Sequence, residues 1–198
     1  TLDDGLAVSA GALNALRREA LSQMETLRTA VPERRAFGFV PPATVKNSAE
    51  KPLLTVSLHR LAQLSEELIA LAPARVYLPV ELLPQLDLSP YLGRTEFFAV
   101  LPRIYRTQDE PILRALLEDG IKRGVTGVSI ANLGHLSLVR GLNITLHGDW
   151  ALNVYNSAAL SFWKKEGLSS ACLSFELRDA QLRDLQKALP CEAIVYGR

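Results

Sequence analysis

Five polar residues follow one another closely in the stretch HGDWALNVYNSAAL, residues 147–160: His147, Asp149, Asn153, Asn156 and Ser157. Histidine and carboxylate side chains can act as general bases or acids, whereas amides and hydroxyls can orient a bound ligand. Because His147 and Asp149 are two residues apart in a predicted strand, their side chains point to the same face and could bind one ligand or each other. We therefore predict His147 and Asp149 as catalytic residues, and Asn153, Asn156 and Ser157 as ligand-binding residues.

The elements that would position these residues alternate between strands and helices. Short apolar strands are predicted at 53–58, 74–80, 96–102, 127–132, 143–149, 170–176 and 192–197, with amphipathic helical stretches between them. Near-continuous apolar strands are typical of a parallel sheet covered by helices, so we predict an α/β, TIM-barrel-like domain with about seven parallel strands. The eighth strand of a closed barrel remains unassigned. A doubly wound open sheet is the alternative, although no glycine-rich phosphate loop follows any strand.

The first part of the chain has a different pattern. Residues 9–29 place apolar side chains at helical spacing, with Ser9 as a candidate N-cap. Residues 32–52 contain four prolines and little periodicity, which is typical of a linker. We therefore predict an N-terminal helix and linker arm at 1–52 and a (β/α) barrel domain at 53–198.

In a parallel barrel the working face is the edge at which the strands end. The residues at the predicted strand ends form a polar ring: His59, Glu81, Arg103, Tyr105, Arg106, Asn132, Asp149, Asn153, Asn156, Glu176, Tyr196 and Arg198. From this ring we predict Glu176 as a further catalytic acid or base, and Arg103 and Asn132 as ligand-binding residues, since a guanidinium pairs with carboxylates and phosphates. The structural alternative is that such polar residues cap the next helix.

Composition argues against several functional classes. Lys and Arg number 22 against 21 Asp and Glu, and the net charge of +1 provides no global field that would attract nucleic acid or an anionic membrane. Apolar runs such as LIALA, residues 68–72, are far shorter than the roughly 20 residues of a membrane helix. With no such helix and no signal segment at its start, the sequence predicts a soluble, cytoplasmic protein. Because the chain does not begin with Met, we also expect a piece of a longer protein.

The cysteines and histidines do not have the spacing of a metal site. Cys172 and Cys191 lie in separate apolar runs, without a C-x-x-C pair, and the three histidines are far apart in the sequence. We therefore predict two buried thiols, and neither a metal nor a cofactor site in this chain.

Several ordered motifs resemble those of peptidase family U32, whose members are often named collagenase-like proteases. The L-N-x-x-N-S motif appears here as Leu152, Asn153, Asn156 and Ser157. The following G-L and L-S-x-E-L motifs appear as Gly167, Leu168, Leu173, Ser174, Glu176 and Leu177. The strand motif E-x-x-V-x-G appears as Glu192, Val195 and Gly197. Segments LPRIYRTQDE, GVSIANLGHL and ALNALRREAL resemble the second barrel-like domain of long members and the helix that precedes it.

This resemblance implies a barrel with a site near the strand ends, and it leaves three functions open. The first is a peptidase domain acting on a peptide, for which no established nucleophile or metal ligand of the family matches this chain. The second is the scaffold of an iron–sulfur-dependent, oxygen-independent hydroxylase of RNA or a quinone precursor. In such relatives cysteines after the E-x-x-V-x-G strand hold the cluster, so the resemblance implies the cluster in a full-length parent only. The third is a non-catalytic binding domain. The expected partners are a peptide or RNA substrate and other domains of the parent chain, and no membrane.

Overall fold

The computed structural model describes residues 7–36, 38, 40, 47 and 51–197. The chain divides into two compact units, Thr1–Val40 and Pro41–Arg198. Helix α1, Ala10–Thr29, forms the first unit, and the Ser9 hydroxyl accepts a hydrogen bond from the Ala12 amide at 3.1 Å, as predicted for an N-cap. Several predicted linker positions, 37, 39, 41–46 and 48–50, and the ring residue Arg198 lie outside the described residues.

The second unit is built on seven parallel strands. They are β1 (Thr55–Ser57), β2 (Arg75–Pro79), β3 (Glu96–Val100), β4 (Gly127–Ile130), β5 (Thr145–Gly148), β6 (Ser170–Cys172) and β7 (Cys191–Glu192). Each strand pairs with the next in chain order, from β1 to β7. This sequential order confirms the predicted TIM-barrel-like α/β fold and makes the doubly wound alternative wrong, since that fold reverses its strand order partway across the sheet. In the described part of the chain, β1 and β7 are not paired, so the barrel is a half-barrel.

Short helices connect the strands on one side of the sheet. They are α2 (Glu66–Ala70), α3 (Glu110–Lys122), α4 (His135–Val139), α5 (Ser157–Lys165) and α6 (Asp179–Asp184). Helix α3 carries a proline in its first turn and is followed by Gly124, whose φ of 106° is a conformation that glycine adopts readily. Short 3₁₀ helices at Leu61–Gln63, Val80–Gln85, Ser89–Tyr91, Thr107–Asp109 and Trp150–Leu152 occupy parts of the connections. Among the described residues, no helix is both long enough and apolar enough to cross a membrane.

The two faces of the sheet carry different side chains. Val76 and Leu78 of β2 and Phe97 of β3 belong to the apolar core shared with the helices. Because side chains alternate along a strand, Arg75 and Tyr77 lie on the opposite, inner face. Alternate residues of the sequence RVYL therefore belong to an apolar outer face, packed on the helices, and to a polar inner face.

Hydrogen bonds across the inner face show that the sheet is curled. Arg75 on β2 donates to the Ser170 hydroxyl on β6 at 2.9 Å, and the Tyr77 hydroxyl donates to Glu192 on β7 at 2.5 Å. In a flat sheet, strands four positions apart would be separated by about 19 Å, given a spacing of about 4.8 Å between neighbours. Direct contact between these side chains therefore requires the barrel-like curvature.

Candidate functional site

The inner face holds a connected network of buried polar groups. Within it, His147 Nδ1 lies 2.8 Å from the Ser170 hydroxyl, and Nε2 lies 3.5 Å from Glu192. Arg75 donates to the same Ser170 oxygen and also pairs with Glu96 at 2.9 Å. A neutral His147 that accepts from Ser170 at Nδ1 and carries its proton on Nε2, facing Glu192, fits all these contacts.

Burial governs the protonation of this network. The pKa of His147 falls to about 3, first because burial penalises the imidazolium and second because the Arg75 charge is close. Burial also raises the pKa of Glu192, although the Tyr77 hydroxyl and Arg75 oppose the rise. His147, predicted as catalytic, therefore lies on the inner face as a neutral, fully partnered side chain.

A second cluster lies at the carboxyl edge of the sheet and contains three predicted site residues. The Arg103 guanidinium, in the loop after β3, lies 4.1 Å above the centroid of the Trp150 ring. Asn132, in the loop after β4, donates to the Arg103 carbonyl at 3.2 Å. Asp149, directly after β5, precedes Trp150 and caps its 3₁₀ turn by accepting from the Ala151 amide at 2.9 Å. The rule that parallel strands end at a common edge thus places Arg103, Asn132 and Asp149 together.

The electrostatics of Asp149 differ from those of an exposed carboxylate. Burial raises the pKa of Asp149, while the Ala151 amide, the Arg103 charge and the Ser129 hydroxyl act in the opposite direction. Burial thus favours the uptake of a proton by Asp149, whereas the hydrogen-bonded oxygen and the nearby cation favour its charged form.

Three other predicted residues perform local structural roles. Asn153 adopts a left-handed conformation with φ of 48° and ends the 3₁₀ turn. Asn156 caps α5, since its side chain accepts from the Ala159 amide at 2.9 Å. The Ser157 hydroxyl accepts from the Gln186 amide at 3.0 Å and so connects α5 to the segment after α6. The bonds of Asn156 and Ser157 and the left-handed backbone of Asn153 account for these residues without a ligand.

Asn156 provides a test of that capping role. Replacing Asn156 with alanine is expected to lower the free energy of unfolding by about 1 kcal/mol, because an amide of α5 loses its acceptor. Asn156→Ser keeps a capping oxygen and should lose only a small part of this. Urea unfolding followed by circular dichroism measures both variants. Equal losses for alanine and serine would contradict capping as the main role.

Glu176 and the other ring residues are more dispersed. Glu176 is exposed in the turn after β6, and its amide approaches the Ser174 hydroxyl at 3.4 Å. His59, Glu81, Arg106 and Tyr196 are also exposed. Tyr105 donates to Glu110 at 2.8 Å and packs edge-on against the buried His135. The structure shows no contact, among the residues it describes, that joins Glu176 to Asp149.

The sequence prediction missed both sets of partners that complete these clusters. The inner network depends on Arg75, Tyr77, Ser170 and Glu192, and the edge cluster depends on Trp150 and Phe175, whose rings are 5.5 Å apart. The alternation of Arg75 and Tyr77 with Val76 and Leu78 was a usable signal for the inner face. Nothing local in the sequence indicated which side chain would lie over Trp150.

The amino ends of the strands border a large cavity. Its volume is about 1340 Å³, and its lining includes Thr55, Arg75, Glu96, Lys187 and Cys191. Basic and acidic side chains both contribute to this lining. The cavity lies at the opposite ends of the strands from Arg103 and Asp149.

The cysteines do not fit an iron–sulfur cluster. Cys172 is buried, Cys191 is half-buried, and both are free thiols. Burial raises the pKa of Cys172 to about 12 and that of Cys191 to about 11, which disfavours the thiolate that metals bind. In the part of the chain that the structure describes, no group of three or more His, Cys, Asp or Glu residues could hold a metal ion.

Comparisons with known proteins identify the family. The family model described as peptidase family U32 matches residues 93–198, more than half of the chain. The solved structure of the U32 peptidase Mk0906 is similar, with a TM-score of 0.53 at 9% identity, over 79% of this chain and 73% of that one. A candidate deoxyribose-phosphate aldolase from Coccidioides immitis gives a TM-score of 0.42 at 10% identity, over 88% of this chain and 83% of that one. No curated protein matches with significance. The match over residues 93–198 shows that this chain belongs to peptidase family U32.

Proposed function

We propose that this chain is the substrate-binding domain of a U32 peptidase, that a peptide binds at the carboxyl edge of the half-barrel, and that Asp149 is the general base. The observation that carries this proposal is the edge cluster, in which a stacked Arg103 guanidinium and a partly buried Asp149 carboxylate lie next to Trp150. Catalytic groups in barrels of this kind lie at this edge.

The proposed step is the hydrolysis of a peptide bond. Asp149 accepts a proton from a water molecule while the oxygen of that water bonds to the peptide carbonyl carbon. The proton then passes to the leaving amine as the carbon–nitrogen bond breaks. A raised pKa suits this role, because a general base works best when its pKa approaches the operating pH. Arg103 and Asn132 hold the substrate, and the buried His147 takes no part in the step.

In this proposal, Glu176 receives the proton from Asp149 and delivers it to the leaving amine. It follows Phe175, whose ring lies 5.5 Å from that of Trp150, so the turn that carries Glu176 contacts the edge cluster. Asn153, Asn156 and Ser157 support this edge in the proposal by fixing the chain between Trp150 and α5.

Cleavage of fluorescently labelled gelatin tests the proposal. The protein is expected to release labelled peptides, and Asp149→Asn should slow the release by about 100-fold, because loss of a general base typically costs that factor or more. Asp119→Asn is the matched control, because this substitution makes the same chemical change away from the edge. Asp119 lies on α3 and forms an exposed ion pair with Arg123.

Each outcome of the gelatin assay has a separate meaning. Equal rates for Asp149→Asn and the unsubstituted protein would remove Asp149 from the proposed step. Binding of gelatin without cleavage would favour a non-catalytic binding domain. Failure both to bind and to cleave would contradict a peptide substrate and would direct attention to the hydroxylase alternative in a longer parent.

A further inference from the structure

The Arg103 side chain is held in place while its hydrogen-bond donors remain unused. The guanidinium stacks on Trp150 with its carbon 4.1 Å from the ring centroid, and stacking leaves the N–H groups at the rim of the guanidinium plane free to bind. Among the described residues, these groups donate no hydrogen bond to the protein, and no carboxylate lies within 4.0 Å of them. Other arginines near the sheet differ, since Arg75 and Arg94 are paired with Glu96 and Glu66.

Exposed apolar and aromatic side chains come from the segments that carry Arg103 and Trp150, and from the turn that packs on Trp150. Phe175 packs edge-on against Trp150 yet remains 61% exposed, and Tyr155, from the same loop as Trp150, is 41% exposed. Ile104, adjacent to Arg103, is 76% exposed. A cation with free donors beside exposed aromatic rings matches a ligand that carries an anion next to an apolar group.

We propose that Arg103, held on Trp150, forms a carboxylate-binding subsite that selects ligands whose carboxylate adjoins an aromatic or large apolar group. This inference rests on the proposed function, in which the ligand is a peptide. The C-terminal carboxylate of that peptide would bind Arg103, and its last side chain would lie against Phe175. A planar guanidinium binds a carboxylate through two parallel hydrogen bonds. Trp150, on which Arg103 stacks, directly follows Asp149 in the chain, so the proposal puts the C-terminal end of the peptide on the side of the edge that carries Asp149. The subsite therefore predicts a preference for ligands with a free C-terminal carboxylate.

Isothermal titration calorimetry with paired small ligands tests the subsite. Hippuryl-phenylalanine is expected to bind about tenfold more tightly than hippuryl-phenylalaninamide, because only the free acid forms a charge-assisted pair with Arg103. Arg103→Gln should abolish this preference, so that the acid and the amide bind with equal affinity. Arg140→Gln is the control for net charge, since Arg140 is exposed in the connection between α4 and β5, away from the carboxyl edge.

The carboxylate that binds this subsite could belong to a peptide C-terminus or to a small free acid, and phenylacetate distinguishes the two. Weaker binding than hippuryl-phenylalanine would support a peptide C-terminus, and equal binding would support the same subsite for a small free acid. Equal affinity for the acid and the amide, or a preference that survives Arg103→Gln, would overturn the subsite. Gelatin cleavage without acid preference would leave the proposed function standing alone, whereas acid preference without any cleavage would leave only the subsite.

Discussion

Between pH 8 and pH 5, two buried histidines that stay neutral in the folded state are expected to contribute a loss of about 4 kcal/mol in stability. The pKa of His147 lies near 3 and that of His135 near 4, against 6.5 for an ordinary histidine. The unfolded chain therefore binds more protons as the pH falls through 6.5, and stability is lost from there downward. Each histidine contributes about 2 kcal/mol of this loss at pH 5.

Urea unfolding at a series of pH values measures this effect, and asparagine variants isolate it. Asparagine retains an acceptor in place of Nδ1, which in His135 accepts from the Ala131 amide at 3.0 Å and in His147 contacts Ser170. His135→Asn and His147→Asn should each remove about 2 kcal/mol of the loss between pH 8 and pH 5, relative to the control His59→Asn at an exposed position. The comparison of each variant with the control isolates the histidine contribution. It is needed because burial raises the pKa of Glu192 and of Asp149, and these two carboxyl groups oppose the loss of stability as the pH falls. An unchanged slope in both variants would contradict the assignment to the histidines.

Replacing Gly127 with alanine is expected to destabilise the protein by about 3 kcal/mol, near the upper end of ordinary overpacking. A Cβ atom at Gly127 would overlap the ring of Phe98, its partner on the adjacent strand. That ring is 1% exposed and has little room to move, because Tyr77 packs edge-on at 5.6 Å and the Arg75 guanidinium lies 4.6 Å away. Thermal and urea unfolding provide the measurement.

Two further variants separate overlap from a general effect of glycine replacement. Gly197→Ala should be nearly neutral, since no atom lies within 4 Å of the added methyl group. Phe98→Leu in the Gly127→Ala background should cost less than the two single changes together, because the shorter side chain relieves the overlap. Strict additivity would show that Phe98 is not the cause.

Much of the fold was predictable from the sequence, because short apolar runs rich in β-branched residues define strands locally. Strand β3, predicted at 96–102 and found at Glu96–Val100, is an example. The ends were less predictable, since pairing depends on neighbours. Of the predicted strand 192–197, only Glu192 lies in β7, because among the described residues β7 pairs with β6 alone and residues 193–197 extend past β6.

The candidate site was predictable only as far as strand ends define it. Arg103, Asn132 and Asp149 follow β3, β4 and β5, and their proximity follows from parallel strands that end at one edge. The stack on Trp150 depends on side-chain rotamers, which the sequence does not express. The contact between Arg75 and Ser170, 95 residues apart, depends on the curvature of the whole sheet.

The curl of the sheet has a consequence for the order of folding. Each strand pairs with the next strand in the chain, so the sheet can grow by successive strand–helix–strand units with short loop closures. The bond between Tyr77 and Glu192 instead joins residues 115 positions apart. Because this closure costs more chain entropy, we expect the inner network to form after the sheet, and β7 to be the first strand to detach and exchange its amide protons with solvent.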